Sequence, residues 1–144
     1  MSVLVPKMSN QFRVHFDDFD SDEITQVMRV TRPSLRFHND LGIAEVSLAP
    51  IELDLRDDAS DHTRCAVLKQ VIKQINEDAK FAMVIETLAL DRSVLEQWRL
   101  HGCRILDYQL DELNSAKGNA LFIHLKLDCE RISVSLNGEM VEML

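Results

Sequence analysis

A chain of 144 residues with 46% hydrophobic content fits one ordinary globular domain able to bury a real core, and argues against a second. The formal net charge of -8 argues against wrapping nucleic acid, since phosphate binding needs clustered Lys and Arg that release counterions. Cys65, Cys103 and Cys129 lie inside apolar patterns without a CxxC pair, so free, buried thiols in a reducing compartment are expected, and the short Val3-Leu4-Val5 run before Pro6 excludes a signal-peptide core.

Met1 to Asn10 reads as an arm outside the core, interrupted by Pro6 and lacking periodicity. Gln11 to Phe16 alternates, with Phe12, Val14 and Phe16 on one face and Arg13 and His15 on the other, which predicts the first strand. The acidic connection Asp17 to Glu23 follows. Strands are then expected over Ile24 to Thr31 and Ser34 to His38, parted by a bend at Pro33 that keeps Arg32 extended. Asn39-Asp40-Leu41-Gly42 supplies turn chemistry before a short strand, Ala44 to Leu48. Ile51 to Arg56 alternates apolar and charged, a strand with one wet face.

Asp57 to His62 is a polar break leading into one helix, Thr63 to about Ala79. Cys65, Leu68, Val71, Ile72 and Ile75 recur there at helical spacing and form the expected buried stripe, leaving Arg64, Lys69, Lys73, Gln74 and Glu77 on the exposed face. Asp61 is the candidate N-cap. Phe81 to Leu88 is the next strand, then a charged turn at Asp91-Arg92-Ser93. Two long strands follow, Val94 to Gln109 with Trp98 and a bend at Gly102, and Ala120 to Leu136. In the latter, Leu121, Ile123, Leu125, Leu127 and Cys129 share one face while His124, Lys126 and Asp128 share the other, Phe122 being the exception. Asn137-Gly138 turns the chain into a short apolar tail, Glu139 to Leu144. The expected plan is an arm (1–10), one mainly β domain (11–136) and a tail (137–144).

No motif for chemistry emerges. Asp18, Asp20 and Asp22 imitate the first ligands of a calcium loop, but the sixth position is Glu23 rather than Gly and the twelfth is Arg29 rather than Glu. Asp57, Asp58, Asp61 and His62 precede a helix, where aspartates cap and complement the dipole. His101, Cys103, His124 and Cys129 would make a zinc site only if they converged. Strict strand alternation instead sets Cys103 on the face of His101 and Cys129 opposite His124. No Ser sits in a glycine-framed elbow, and the four glycines are isolated, so neither a hydrolase nor a phosphate-cradling loop is expected. Trp98 reads as a core or interface anchor. The chain is expected to be no enzyme and to need no cofactor or metal.

Asn10-Gln11-Phe12-Arg13-Val14, Thr31-Arg32-Pro33-Ser34-Leu35, Leu55-Arg56-Asp57-Asp58 before the helix, Ile85-Glu86-Thr87-Leu88, Leu95-Glu96-Gln97-Trp98 with Gly102-Cys103, and the closing Leu-x-Leu-Asp128 resemble the tail-tube proteins of contractile-tailed bacteriophages. The resemblance runs from about Asn10 to Arg131 and rests on order and spacing. It implies an antiparallel β-sandwich or barrel-like subunit with one flanking helix. Such subunits form hexameric rings whose inner sheets join into a continuous barrel and whose stacking builds a tube. Baseplate tube initiators, R-type pyocin tubes and the type VI secretion tube protein share that fold.

On this reading the protein is a structural component of the virion tail, assembled in the host bacterial cytoplasm, whose lumen conducts DNA without specific binding. Its partners are further copies of itself, a contractile sheath protein, and baseplate and tail-terminator proteins, with no membrane. Interface candidates are Val3, Leu4 and Val5 of the arm, Lys69 and Lys73 of the helix facing the sheath, Trp98, and Met140 and Met143 of the tail. Lumen candidates are the acidic residues Glu45, Glu52, Asp54 and Asp128, which would repel DNA. The alternatives are a non-polymerising initiator or adaptor ring of the same fold and, third, a small enzyme or ligand-binding β domain.

Overall fold

The structure, a computed structural model, describes residues 6–17 and 27–143. Val3, Leu4 and Val5 and the acidic connection with Asp18, Asp20 and Asp22 lie outside the described residues. Among those described, the order is β1 (Phe12–Asp17), β2 (Val27–Val30), β3 (Leu35–Asp40), β4 (Ile43–Leu48), β5 (Ile51–Arg56), α1 (His62–Glu77), β6 (Phe81–Leu88), β7 (Val94–Leu110), β8 (Phe122–Asp128), β9 (Arg131–Leu136) and β10 (Glu139–Glu142). The fold is mainly β and antiparallel with one helix, as the pattern predicts, and its sheets do not close into a barrel.

Strand β7 belongs to two sheets. Its first half lies between β6 and β9, with β1 beyond β6 and β10 beyond β9. Its second half pairs with β8, which pairs with β5 and then β2. The inner faces share one core: Phe16, Phe81, Met83, Ile85 and Leu100 from the first sheet meet Ile51, Leu53, Leu55, Ile123, Leu125 and Leu127 from the second. The period of two in β5 and β8 is what commits one whole face of each strand to this interior.

The corner between the sheets sits at Gly102, where φ is +64. The register of β6 on β7 slips there, from Met83 opposite Leu100 to Phe81 opposite Cys103, which marks a bulge. The predicted single strand over Ala120 to Leu136 is in fact two, β8 and β9, broken at Cys129–Glu130 directly across from Gly102. Glu130 donates its backbone N–H to the His101 carbonyl at 3.0 Å, holding the break against the bend. Both sides of one long ribbon therefore turn together. The predicted tail also joins a sheet: Asn137 and Gly138, both at positive φ, make a tight hairpin that returns β10 onto β9.

The helix forms where expected but buries the other side. Thr63, Ala66, Val67 and Gln70 face the sandwich, with Val71 half-buried beside them, whereas Cys65, Leu68, Ile72 and Ile75 are exposed. Small side chains let the helix approach the sheet, and Gln74, expected outside, is needed against it. Its amide donates to the Ile105 carbonyl at 2.8 Å and accepts the Ile105 N–H at 2.7 Å. This satisfies a backbone freed by the bulge between Ile105 and Asp107. Asp61 holds the N-cap position at φ 60, yet its side chain makes no capping bond; its carbonyl accepts the Cys65 N–H at 2.9 Å instead.

Candidate assembly surfaces

The outward face of the sheet β2–β5–β8–β7 is polar because the alternation that buries Leu53 and Leu125 sends Glu52, Asp54, His124, Lys126 and Asp128 the other way. Three of the four lumen candidates, Glu52, Asp54 and Asp128, share this face, and Glu45 does not, lying on β4. Its charges are largely matched. Arg29 on β2 reaches Glu52 at 2.9 Å and Asp54 at 3.6 Å, and His124 lies 2.7 Å from Asp54 and 2.6 Å from Asp111. Hydrogen bonds to Asp54 and then Asp111 raise the His124 pKa above its ordinary value. Asp128 lies across from Arg104 in the strand register, but the Arg104 guanidinium pairs with Asp78 and the Asp128 carboxylate accepts the Cys129 N–H. The face thus carries both signs, with Arg29 and Lys126 standing among Glu52, Asp54 and Asp107.

The second surface is the β3–β4 hairpin, a two-stranded sheet that pairs with neither larger one. Its apolar side chains point outward: Phe37 is 76% exposed, its cross-strand partner Val46 is exposed too, and Leu41 at the tip is 100% exposed. Leu41 also holds φ 54, followed by Gly42 at φ 77. A leucine in the left-handed region costs energy that Asn or Gly would avoid, so tip geometry alone does not account for it.

The remaining candidates scatter. Lys69 and Lys73 lie on the exposed side of α1, beside Leu68 and Ile72. Trp98 packs half-buried against the core between Ile85 and Val134, an anchor within the subunit. Met140 is exposed on β10, whereas Met143 packs against the core and donates its backbone N–H to the Ile132 carbonyl. Sequence reasoning missed Glu96, which is 3% exposed yet takes Lys7 at 3.0 Å and Arg32 at 3.1 Å. Burial raises its carboxyl, but interactions with Lys7, Trp98 and Arg32 together more than offset that and leave it below the ordinary range. Glu96 ties the end of the arm and the β2–β3 connection onto β7. Its only signal was a lone acidic residue in the first half of the strand.

Among the described residues, no group of His, Cys, Asp and Glu is placed to hold a metal ion, and no helix is long and apolar enough to cross a membrane. His101, Cys103, His124 and Cys129 do not converge, because the bulge at Gly102 turns Cys103 inward while His101 stays exposed. Neither a family model nor a curated protein matches the sequence.

Solved structures do match, over nearly the full length. The cap that terminates the anti-feeding prophage tube superposes with a TM-score of 0.70 at 13% identity, covering 94% of this chain and 95% of that one. This is the tail-tube fold of contractile injection systems. A chain of the extended sheath-tube complex of the extracellular injection system PVC shares it, with a TM-score of 0.66 at 12% identity and coverage of 91% and 92%. Hcp1 from Salmonella typhimurium does so at 0.62 and 10% identity, covering 92% of each chain. In this tail-tube fold, the polar sheet face, the free hairpin and the outer side of α1 are the surfaces the core leaves uncovered.

Proposed function

We propose that this chain is the subunit of the tail tube of a contractile-tailed phage or a closely related injection machine. Six copies form a ring, rings stack through the β3–β4 hairpin, and the polar face of β2–β5–β8–β7 lines a lumen that passes DNA during ejection. The observation that carries the proposal is the hairpin: a tail-tube fold whose free arm exposes Phe37, Leu41 and Val46 has built a contact larger than one subunit needs. In this arrangement β2, which has only β5 as a strand neighbour among the described residues, supplies an edge for lateral pairing. A repeated lateral contact closes a ring, and a second repeated contact without closure gives open length.

The lumen wall then holds Glu52, Asp54 and Asp128, with Glu45 at the stacking contact. Arg29 and Lys126 stand among these carboxylates, so the wall presents mixed charge rather than a continuous basic track for phosphate. Lys69 and Lys73 face the sheath, and baseplate and terminator proteins meet the tube ends. Val3, Leu4, Val5 and Met140 join neighbouring rings, and the role of the chain is structural, not catalytic, in a virion tail assembled in the host cytoplasm. A non-polymerising initiator or adaptor ring of the same fold is the second reading, since the prophage cap and the PVC sheath/tube terminator match the chain as well as the tube complex does. Negative-stain electron microscopy with solution mass on the same sample tests both. Long hollow tubes support the tube subunit, single rings the adaptor, and a monomer that persists after addition of a baseplate fraction overturns the proposal.

A further inference from the structure

Cys103 and Cys129 meet inside the corner where β7 passes from one sheet to the other. Their Sγ atoms are 2.9 Å apart, closer than the roughly 3.5–4.0 Å at which non-bonded heavy atoms rest. Both are buried, Cys103 at 0% and Cys129 at 7% exposure. The rung beside them pairs Arg104 with Asp128, so the two cysteines stand directly opposite across antiparallel chain. Residues so placed have Cα atoms about 4.5–5.5 Å apart, inside the roughly 4.4–6.8 Å that a disulfide requires. The bulge at Gly102 brings this about by turning Cys103 to the interior, where Cys129 already points.

We infer that Cys103 and Cys129 form a site of intramolecular disulfide closure, made by a small disulfide oxidant such as oxidised glutathione, that staples the corner of the sandwich. The step balances by thiol–disulfide exchange. Cys129, the more exposed, loses its proton to solvent and attacks one glutathione sulfur, expelling a glutathione thiolate. Cys103 then attacks Cys129 Sγ, releases its own proton and expels the second glutathione. Two protein S–H bonds are replaced by one S–S bond, and the oxidised glutathione becomes two thiols. The hydrogen bond to Cys129 and then burial push the Cys103 thiol up, so the closed native corner reacts slowly and exchange belongs to folding, before the corner shuts. In a reducing cytoplasm the pair stays open, and in oxidising surroundings it closes. The bridge encloses the exposed connection between β7 and β8.

The test uses the full chain with Cys65→Ser, which removes the exposed thiol. The protein is unfolded in urea, refolded either with oxidised and reduced glutathione or with a phosphine reductant, then alkylated in denaturant and weighed intact. Closure predicts a native circular dichroism spectrum, a mass lower by two hydrogen atoms and no alkylation in the glutathione sample, with two alkylated cysteines in the reduced one. The 26-residue separation predicts an unfolding equilibrium constant lower by roughly 400-fold in the oxidised form. Native protein with two alkylated thiols, two glutathione adducts, or an oxidised form no more stable than the reduced one would each overturn the inference.

Discussion

A Cβ on Gly102 would stand 2.6 Å from Glu130 Oε2 and 2.9 Å from Glu130 Cβ, and φ there is +64. The carboxylate can swing away, but the Cβ contact and the backbone angle cannot be relieved without opening the corner. Gly102→Ala is therefore expected to cost about 1–2 kcal/mol from the left-handed backbone alone, read as a lower urea midpoint with an unchanged slope. His124 carries a different dependence. Asp54 and Asp111 raise its pKa, so its contribution is full below the ordinary imidazole value of about 6.5 and is lost as pH rises through the raised one. Asp111 is lowered by His124 and the Phe122 N–H, so its contribution is present above the ordinary carboxylate value and lost as pH falls through the lowered one. Thermal melts should show the midpoint falling on the alkaline side, and His124→Gln should flatten that flank. At this scale the sequence revealed which strand residues alternate, but not Cys103: one positive-φ glycine reset the parity, and parity was the whole basis for its placement.

The elements show where pattern reasoning holds and where a competing demand wins. In β5 and β8 the apolar faces are deep core, since any other register would bury charge. The break between β8 and β9 had a signal that went unused, two consecutive charges at Glu130 and Arg131 in an otherwise alternating run. Helix α1 was misread for a physical reason: its large apolar residues make one stripe at helical spacing, while the face against the sheet is chosen for small size and for the Gln74 amide. Gln74→Leu leaves the Ile105 N–H and carbonyl without that partner and should cost about 2–6 kcal/mol, at 1–3 for each buried group left unmade. Ile75→Gln, at a position 76% exposed, should leave stability within about 0.5 kcal/mol. Reversal of these two results in chemical denaturation would restore the face the sequence suggested.

At the level of the whole molecule, the pressing question is why a subunit with a closed core keeps an apolar hairpin outside it. Strain at Leu41 gives a way to ask. Asn tolerates the left-handed angle that Leu holds at φ 54, so Leu41→Asn should leave the isolated subunit as stable or more stable, by up to about 1 kcal/mol. If the hairpin is the stacking contact, the same change removes the apolar tip that reaches the next ring, and polymers should give way to single rings. Lateral closure through β2 would be untouched, because β2 belongs to the larger sheet while β3 and β4 form a sheet of their own. Solution mass and electron microscopy of wild type and Leu41→Asn at matched concentration separate the cases. Higher subunit stability with shorter or absent tubes places stacking on the hairpin, while tubes of unchanged length would move it to the exposed side of α1 or to the chain ends.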